Sequence, residues 1–392
     1  MTAPVRVAFV SHHTHLRMGG QRSMALLIEH VDRSVVEPLA ICPGPGELTD
    51  HLTALGCPVV HVPLFPIKPK TLPAVWRSVR TIRALVHERG IDILAPDAPR
   101  DALTCGLAKL GTHAKLLWFL RQTGRDSLDL VLGWLADGMV GDSDATGLRF
   151  SSAVRTASRY RTIVGGADLR RFHPAPDRAQ LRRELALPAD RFVMLFAGQV
   201  THAKGVLDIV QALGVLKAAM PAAKPLLLII GAPHPPAITR EIEARARTGG
   251  VWDDVRMLPH QNAIDRWMQA ADVLVSGSHQ DTEGMSRVLY EAMACGAVPI
   301  ATDIRGNRDA ITPATGILVP ERAPGEIARA LASLIADPGR LVALREAGTK
   351  RAREVFDIRT HARAVEAFCR ELARPLRPGT EPPTLGHRET PT

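Results

Sequence analysis

Two glutamates, Glu283 and Glu291, stand eight positions apart in the run EGMSRVLYEAMACGAVPIATDIRGNRD that ends at Asp309. The apolar spacing predicts a helix over Ser286 to Cys295, stopped by Gly296, then a short buried strand from Val298 to Thr302. Eight residues of helix at about 1.5 Å rise each hold the two carboxylates roughly 12 Å apart. That is too far to share a proton, and it suits two groups gripping opposite ends of an elongated ligand. Gly284 permits close backbone approach, and the helix start offers free N–H groups and a positive dipole end to an anion. The spacing alone equally fits a helix with one exposed and one capping glutamate.

A second candidate is AGQVTHAKG, where a glycine loop leads into a helix and Lys204 stands at its start. An ammonium and a helix dipole together would hold a diphosphate there. Gly19 and Gly20 follow the first strand and precede the first helix, a place that serves close approach to a diphosphate or a simple turn. They do not form the G-x-G-x-x-G fingerprint, so a dehydrogenase is discounted. His12, His13 and His15 share a polar loop with no carboxylate or cysteine at ligand spacing, and a strand end explains them better than a metal does.

These pieces belong to a repeating plan. Apolar strand-like runs at Val5–Val10, Val35–Ile41, Val59–Val62, Ile91–Ala95 and Ala114–Leu120 alternate with helical patterns at Glu47–Leu55, Leu72–Arg89 and Ala98–Leu110, the first helix starting near Gln21. The alternation restarts at Phe192–Phe196 and continues through Leu226–Ile230, Val255–Leu258 and Val273–Ser276. Helices over Ala323–Ala336 and Ile358–Leu372 close it, the second with Asp357 as N-cap. Such alternation means α/β architecture with parallel sheets, in which ligands sit beyond the carboxyl ends of the strands. Asp142, Ser143 and Asp144 read as a helix N-cap region. The tail from Pro375 to Thr392, rich in Pro, Gly and Thr, reads as disordered.

Composition narrows the function. At 392 residues two domains are the default. A net charge of +9 favours anionic partners, yet no zinc-finger spacing, aromatic-basic signature or lysine tract points to nucleic acid. That leaves phosphorylated small molecules and anionic lipid surfaces. Five scattered cysteines without C-x-x-C indicate reduced thiols in a cytoplasmic compartment. No run is long enough for a signal peptide or a membrane span. The helix Leu72–Arg89 carries Arg77, Arg80 and Arg83 with Trp76 nearby, which suits either a solvated face or peripheral contact with an anionic membrane.

The run EAMACGAVPIATD attached to the glutamate pair resembles the E-x7-E text of the family 4 retaining glycosyltransferases of GT-B fold, the group 1 glycosyltransferases. The segment IVGGADLRRFHP (Ile163–Pro174) is similar to that family's linker N-G-V-D-x-x-x-F-x-P, with Asp168 and Phe172 matching and Gly165 and Ala167 departing. The resemblance implies two facing doubly wound Rossmann-like domains. An acceptor-side domain would span 1–165, a nucleotide-sugar domain 166–355, and a helix over 356–374 would cross back onto the first domain. It further implies a retaining, metal-independent enzyme of hexosyltransferase type, without cofactor. A sugar would pass from a UDP-sugar or GDP-sugar to an unknown acceptor hydroxyl, in glycan, lipid-linked polysaccharide or glycolipid synthesis. The enzyme would be cytoplasmic, or peripheral at the inner face of the membrane.

Carried over residue by residue, Glu283 would sit by the sugar and its anomeric region, and Lys204 would stabilise the departing diphosphate. Arg121, which ends the strand KLLWFL, would stand near the transferred sugar. Gly19, Gly20, Gly198, Gln199, Met285 and Ser286 would line the donor, and Glu291 would bind its ribose. The family text G-R-L-x-x-x-K-G has arginine where this chain has Gln199, an amide that cannot neutralise a phosphate. Arg287 or Arg305 is then expected to supply the charge. GNRDAI (Gly306–Ile311) resembles the family's glycine turn, with Arg305 in place of one glycine and Asp309 in place of glutamate. An epimerase acting on nucleotide sugars, or a binding protein that has lost catalysis, would use the same fold.

Overall fold

The computed structural model describes residues 3–16, 19–156, 158–280 and 284–374. The tail read as disordered, Pro375–Thr392, lies outside the described residues.

The chain builds two parallel sheets. The first domain runs β1 (Val5–Val10), α1 (Gly19–His30), β2 (Val36–Cys42), α2 (Glu47–Ala54), β3 (Val59–His61), α3 (Leu72–Arg89) and β4 (Ile93–Pro96). It continues through α4 (Pro99–Lys109), β5 (Lys115–Leu120), α5 (Asp129–Leu135), β6 (Gly138–Gly141), α6 (Asp144–Gly147) and β7 (Tyr160–Thr162). The second runs α7 (Arg178–Glu184), β8 (Phe192–Ala197), α8 (Val206–Ala219), β9 (Pro225–Ile230), α9 (Ile238–Thr248), β10 (Val255–Leu258) and α10 (Ile264–Ala270). Then follow β11 (Val273–Ser276), α11 (Arg287–Cys295), β12 (Val298–Thr302), α12 (Arg305–Ala310), β13 (Ile317–Val319), α13 (Pro324–Ala336), α14 (Pro338–Val355) and α15 (Ile358–Ala373).

The strand orders are β3-β2-β1-β4-β5-β6-β7 and β10-β9-β8-β11-β12-β13. Strands buried on both faces explain the unbroken apolar runs. In β8, Val193 and Leu195 enter one core while Met194 and Phe196 enter the other, the period of two that a strand imposes. In the first domain, Val5, Val7 and Phe9 join the core under α1, α2 and α15, whereas Ala8 and Val10 join the core under α3, α4 and α5.

The two chain crossings between domains lie side by side. Ala167 N–H donates to Phe356 O at 2.8 Å, Ile358 N–H donates to Ala167 O at 3.0 Å, and His361 Nδ1 lies 2.7 Å from Val164 O. Beyond this seam α15 lays Ala362, Val365 and Phe368 into the first domain's core.

Two local expectations are corrected and one helix was not foreseen. The stretch GNRDAI forms the short helix α12 instead of a turn. The helix α14 escaped the apolar pattern because it buries only Leu344, Gly348 and Ala352. It is held by polar side chains instead: Arg345 donates to Gly296 O, Thr349 to Met293 O, and Arg351 to the carbonyls of Asp309 and Ala310. Arg83 does not belong to a solvated arginine face, since it donates to the carbonyls of Leu107 and Ala108 and ties α3 to the end of α4.

Candidate active site

Each sheet reverses its winding once, between β1 and β4 in the first domain and between β8 and β11 in the second. Crevices for ligands open at such points, beyond the strand ends. In the first domain this brings the loop after β1 against the head of α4. His12 N–H donates to Asp101 Oδ2 at 3.2 Å, and the His12 ring Nδ1 lies 2.6 Å from the same oxygen. This carboxylate partner was invisible at sequence spacing. The His13 ring lies 3.9 Å from that of His12 and 4.9 Å from that of His15. Burial first, then the two neighbouring histidines, lower its pKa to about 4, which leaves it neutral at pH 7. Among the described residues no group of three His, Cys, Asp or Glu side chains is placed to hold a metal.

In the second domain the loop after β8 carries Gly198 and Gln199, both exposed, and reaches Lys204 in a single 3-10 turn. Gly205 follows with φ 63°, pressed on the loop after β11: a Cβ there would lie 2.1 Å from Gly277 O. Only glycine meets both demands. The contact locks the two loops together and holds Lys204 beneath them, where burial lowers its pKa from 10.5 to about 8. A poorly solvated ammonium next to strand ends is poised for an anion.

The head of α11 faces α1 across the cleft. Met285 and Ser286 are buried, and Ser286 is the N-cap residue without a side-chain capping bond. One turn on, Arg287 Nη2 lies 2.6 Å from Glu291 Oε1. The other arm of that guanidinium reaches Ser23 Oγ at 3.2 Å and Gly19 O at 3.4 Å. Gly19 and Gly20 stand within the first turn of α1, not ahead of it; Gly19 lies against the arginine that orients Glu291, and Gly20 lies against Asp97. Arg287 is thus committed to Glu291 and α1. Arg305 is exposed at the start of α12. Glu283 lies outside the described residues.

Arg121 stands by two carboxylates that sequence reasoning missed, the half-buried Asp97 and the buried Asp142. Burial pushes Asp97 up to about 6 and Asp142 up to about 7, and Arg121 opposes both shifts. Asp97 had no motif to betray it. Asp142 was read as part of a helix cap, and Ser143 is indeed the N-cap of α6, but its hydroxyl donates to Gly284 O at 3.1 Å in the other domain. Gly284 N–H in turn donates to Arg121 O at 3.0 Å, and Asp144 N–H donates to Asp309 Oδ2 at 3.0 Å. The segment preceding α11 is thereby docked on the first domain at Arg121. Behind it α12 packs so closely that a Cβ on Gly306 would fall 1.4 Å from Gly284 O.

The structure thus gathers the expected residues into three neighbouring groups. Gly198, Gln199 and Lys204 sit on the loop after β8, Gly19 meets the Arg287 that holds Glu291 while Gly20 lies by Asp97, and Arg121 meets Gly284 beside Met285. The arrangement offers a half-buried cation, a carboxylate anchored by arginine, and two protonatable carboxylates around a guanidinium.

Known proteins resemble the C-terminal domain in sequence and the whole chain in fold. Residues 177–354 match the family model of the group 1 glycosyl transferases. The D-inositol 3-phosphate glycosyltransferase of Thermobispora bispora is 32% identical over 223 residues, 55% of this chain and 51% of that protein. Its counterpart from Xylanimonas cellulosilytica is 36% identical over 206 residues, 50% and 48% of the two chains. The chain spans about half the length of the curated relatives it matches. Among solved structures, a glycosyltransferase from Rickettsia africae superposes with a TM-score of 0.82 at 17% identity, over 94% of this chain and 98% of that one. Anabaena HepE in complex with UDP-glucose gives 0.78 at 19% identity, over 92% and 98%. At such identities the likeness is one of fold. Residues 177–354 thus resemble the group 1 glycosyl transferases in sequence, and across both domains the chain has the GT-B fold.

Proposed function

We propose that the protein is a retaining glycosyltransferase that moves a sugar from a nucleoside-diphosphate sugar to an acceptor hydroxyl. The observation that carries this reading is Lys204, a desolvated ammonium held by the Gly205–Gly277 contact at the carboxyl ends of β8 and β11. A charge preorganised there would stabilise the diphosphate as it departs, and it is the developing charge that such a group must meet. Glu291, anchored by Arg287 at the head of α11, would accept hydrogen bonds from the ribose hydroxyls. Backbone N–H groups near Met285 and Ser286 would meet the sugar or phosphate, and Arg121 with Asp97 and Asp142 would border the transferred sugar. Glu283 is assigned by family resemblance to the sugar hydroxyls.

Neighbours of the same fold solved with UDP and UDP-glucose support a UDP-sugar as the first donor to test. Positive charge from Lys204 and the turn around it supports a reaction independent of metal, to be checked by activity in a chelator. The test is donor hydrolysis and binding across a panel of nucleoside-diphosphate sugars, comparing wild type with Glu291→Ala and Lys204→Ala. Slow hydrolysis of one donor, lost in both variants, is expected; no binding to any donor would remove the assignment.

The acceptor side carries its own observation. Leu130 is 90% exposed and Trp134 76% exposed on α5, in the same helical layer as Trp76, Leu72, Arg77 and Arg80 on α3. Apolar side chains beside arginines suit peripheral contact with an anionic membrane and a lipid-linked acceptor, in a cytoplasmic enzyme. No described helix is long and apolar enough to cross a membrane. Flotation with vesicles containing anionic lipid should fall at least fivefold for Leu130→Ser with Trp134→Ser. Equal flotation of variant and wild type would reject the contact.

A further inference from the structure

Away from the cleft, a cavity of about 550 Å³ opens where the C-terminal end of α11 meets α14 and the chain segment before α7. Its chemistry centres on one carboxylate. Asp272, 7% exposed, receives Arg178 Nη2 and Arg182 Nη2, each at 2.6 Å, and Val193 N–H at 2.8 Å. A third guanidinium, that of Arg345, stands 3.6 Å from the same carboxylate, too far for a hydrogen bond. Arg345 Nε donates to Gly296 O at 2.8 Å, whereas its Nη2 is buried with no hydrogen-bond partner. Burial, then the adjacent Arg178 charge, lowers the pKa of this guanidinium.

Three arginines around one aspartate leave positive charge uncompensated, and two of them, Arg178 and Arg345, line the cavity. Lys350 and Arg353 add cations among its lining residues, against Glu346 and Glu354. Lys350 lies 3.9 Å from Glu354, a loose pair of two exposed groups that leaves the charge at Arg345 untouched. Nη2 faces Asp272, but the Arg345 side chain as a whole is 27% exposed and lines the cavity, so its charge is open to an anion there. The volume falls in the range of small-molecule sites and exceeds what a bare phosphate ion fills.

We propose that this cavity is a second ligand site, separate from the donor cleft, which binds a phosphomonoester the size of a sugar phosphate. Arg345 donates to the phosphate from the buried end, and Lys350 and Arg353 meet it from α14. The site sits at the end of α11 opposite Arg287, so its occupancy is independent of Lys204.

The probes are glucose 6-phosphate, inorganic phosphate and glucose, titrated calorimetrically into the full chain and into Arg345→Met, Arg345→Lys and Lys204→Ala. Methionine keeps an apolar stem against Gly296 and removes the donors. Glucose 6-phosphate should bind one equivalent to wild type and to Lys204→Ala alike. Its affinity should fall at least tenfold in Arg345→Met, with part retained in Arg345→Lys, and glucose should not bind. If Arg345→Met fails to fold, Lys350→Ala with Arg353→Ala should still weaken binding several-fold. No saturable binding, unchanged affinity in the arginine variants, or loss in Lys204→Ala would each overturn the site. Inorganic phosphate binding as tightly as glucose 6-phosphate would overturn the ligand class.

Discussion

Replacing Lys204 by methionine separates what this lysine costs the free protein from what it contributes to a bound anion. Burial lowers its pKa from 10.5 to about 8. At about 1.4 kcal/mol for each pKa unit, keeping the ammonium charged in the free protein costs about 3 kcal/mol at neutral pH. Methionine preserves much of the stem and removes the charge. The variant is therefore expected to be more stable than wild type by about 1–3 kcal/mol, a few degrees in Tm for a domain of this size. The pH dependence has a definite sign. Between pH 8 and 10.5 the folded protein binds fewer protons at Lys204 than the unfolded chain, so wild-type stability rises with pH across that window. The penalty is full below pH 8 and fades toward 10.5, and the gap between variant and wild type should close accordingly. Affinity should move the other way. A charge-assisted hydrogen bond lost from a desolvated site removes about 2–3 kcal/mol, so UDP should bind roughly 30- to 150-fold more weakly. Denaturation at pH 7.5 and pH 10, with calorimetric titration of UDP, reads both halves. A lower Tm for the free variant, or a stability gap that is the same at both pH values, would refute the claim that Lys204 is strained by burial.

Three further outcomes follow from the same geometry. Arg121→Met removes the cation that opposes the upward shifts of Asp97 and Asp142. Both carboxyls are largely protonated in the folded protein at pH 5, so the loss of stability there should be smaller than at pH 8 by about 1–3 kcal/mol; a pH-independent loss in urea titrations would contradict this. Gly306→Ala forces a methyl into Gly284 O and should destabilise by about 2 kcal/mol or more while weakening donor binding. Gly325→Ala on α13, where a Cβ meets nothing within 4 Å, should be neutral or stabilising by up to about 1 kcal/mol, and similar effects in the two would rule the contact unimportant. With Arg287 engaged by Glu291, compensation for Gln199 falls to Arg305. Arg305→Ala should weaken UDP binding about tenfold and Gln199→Arg should restore it in that background; no weakening would dismiss the compensation.

Much of this molecule was legible because strands buried on both faces write uninterrupted apolar runs. β10, β11, β12 and α3 have the limits their patterns predict. Elements held by polar contacts were harder to see. α14 is attached through arginine and threonine bonds to carbonyl ends, and such bonds leave no periodic trace. The edge strands β7 and β13, three residues each, carry too few side chains to form a pattern. In the site, residues fixed by local sequence, namely Lys204 on its glycine turn and Glu291 on its helix, could be singled out from the chain. Asp97 and Asp142 could not, because what makes them unusual is the shared burial around Arg121, contributed by the ends of three different strands.

The way the two halves of the cleft are held differs, and the difference has mechanical consequences. On the C-terminal side, backbone meets backbone without intervening side chains, Gly205 on Gly277 and Gly284 against Gly306. The loops after β8, β11 and β12 thereby form one wall with little freedom to shift independently, since any rotation drives a carbonyl into its neighbour. On the N-terminal side the same wall is reached through single hydrogen bonds, from Gly284 to Arg121, from Ser143 to Gly284 and from Arg287 to Ser23. Each such bond contributes about 1 kcal/mol, with somewhat more from the charged one. A ligand bridging the two domains needs only to outbid a few of them to alter the interdomain fit, whereas deforming the glycine wall would require displacing packed backbone. The C-terminal wall is therefore the fixed element of the cleft, and the N-terminal side, with Arg121 and its two carboxylates, is the part whose position a bridging ligand can select.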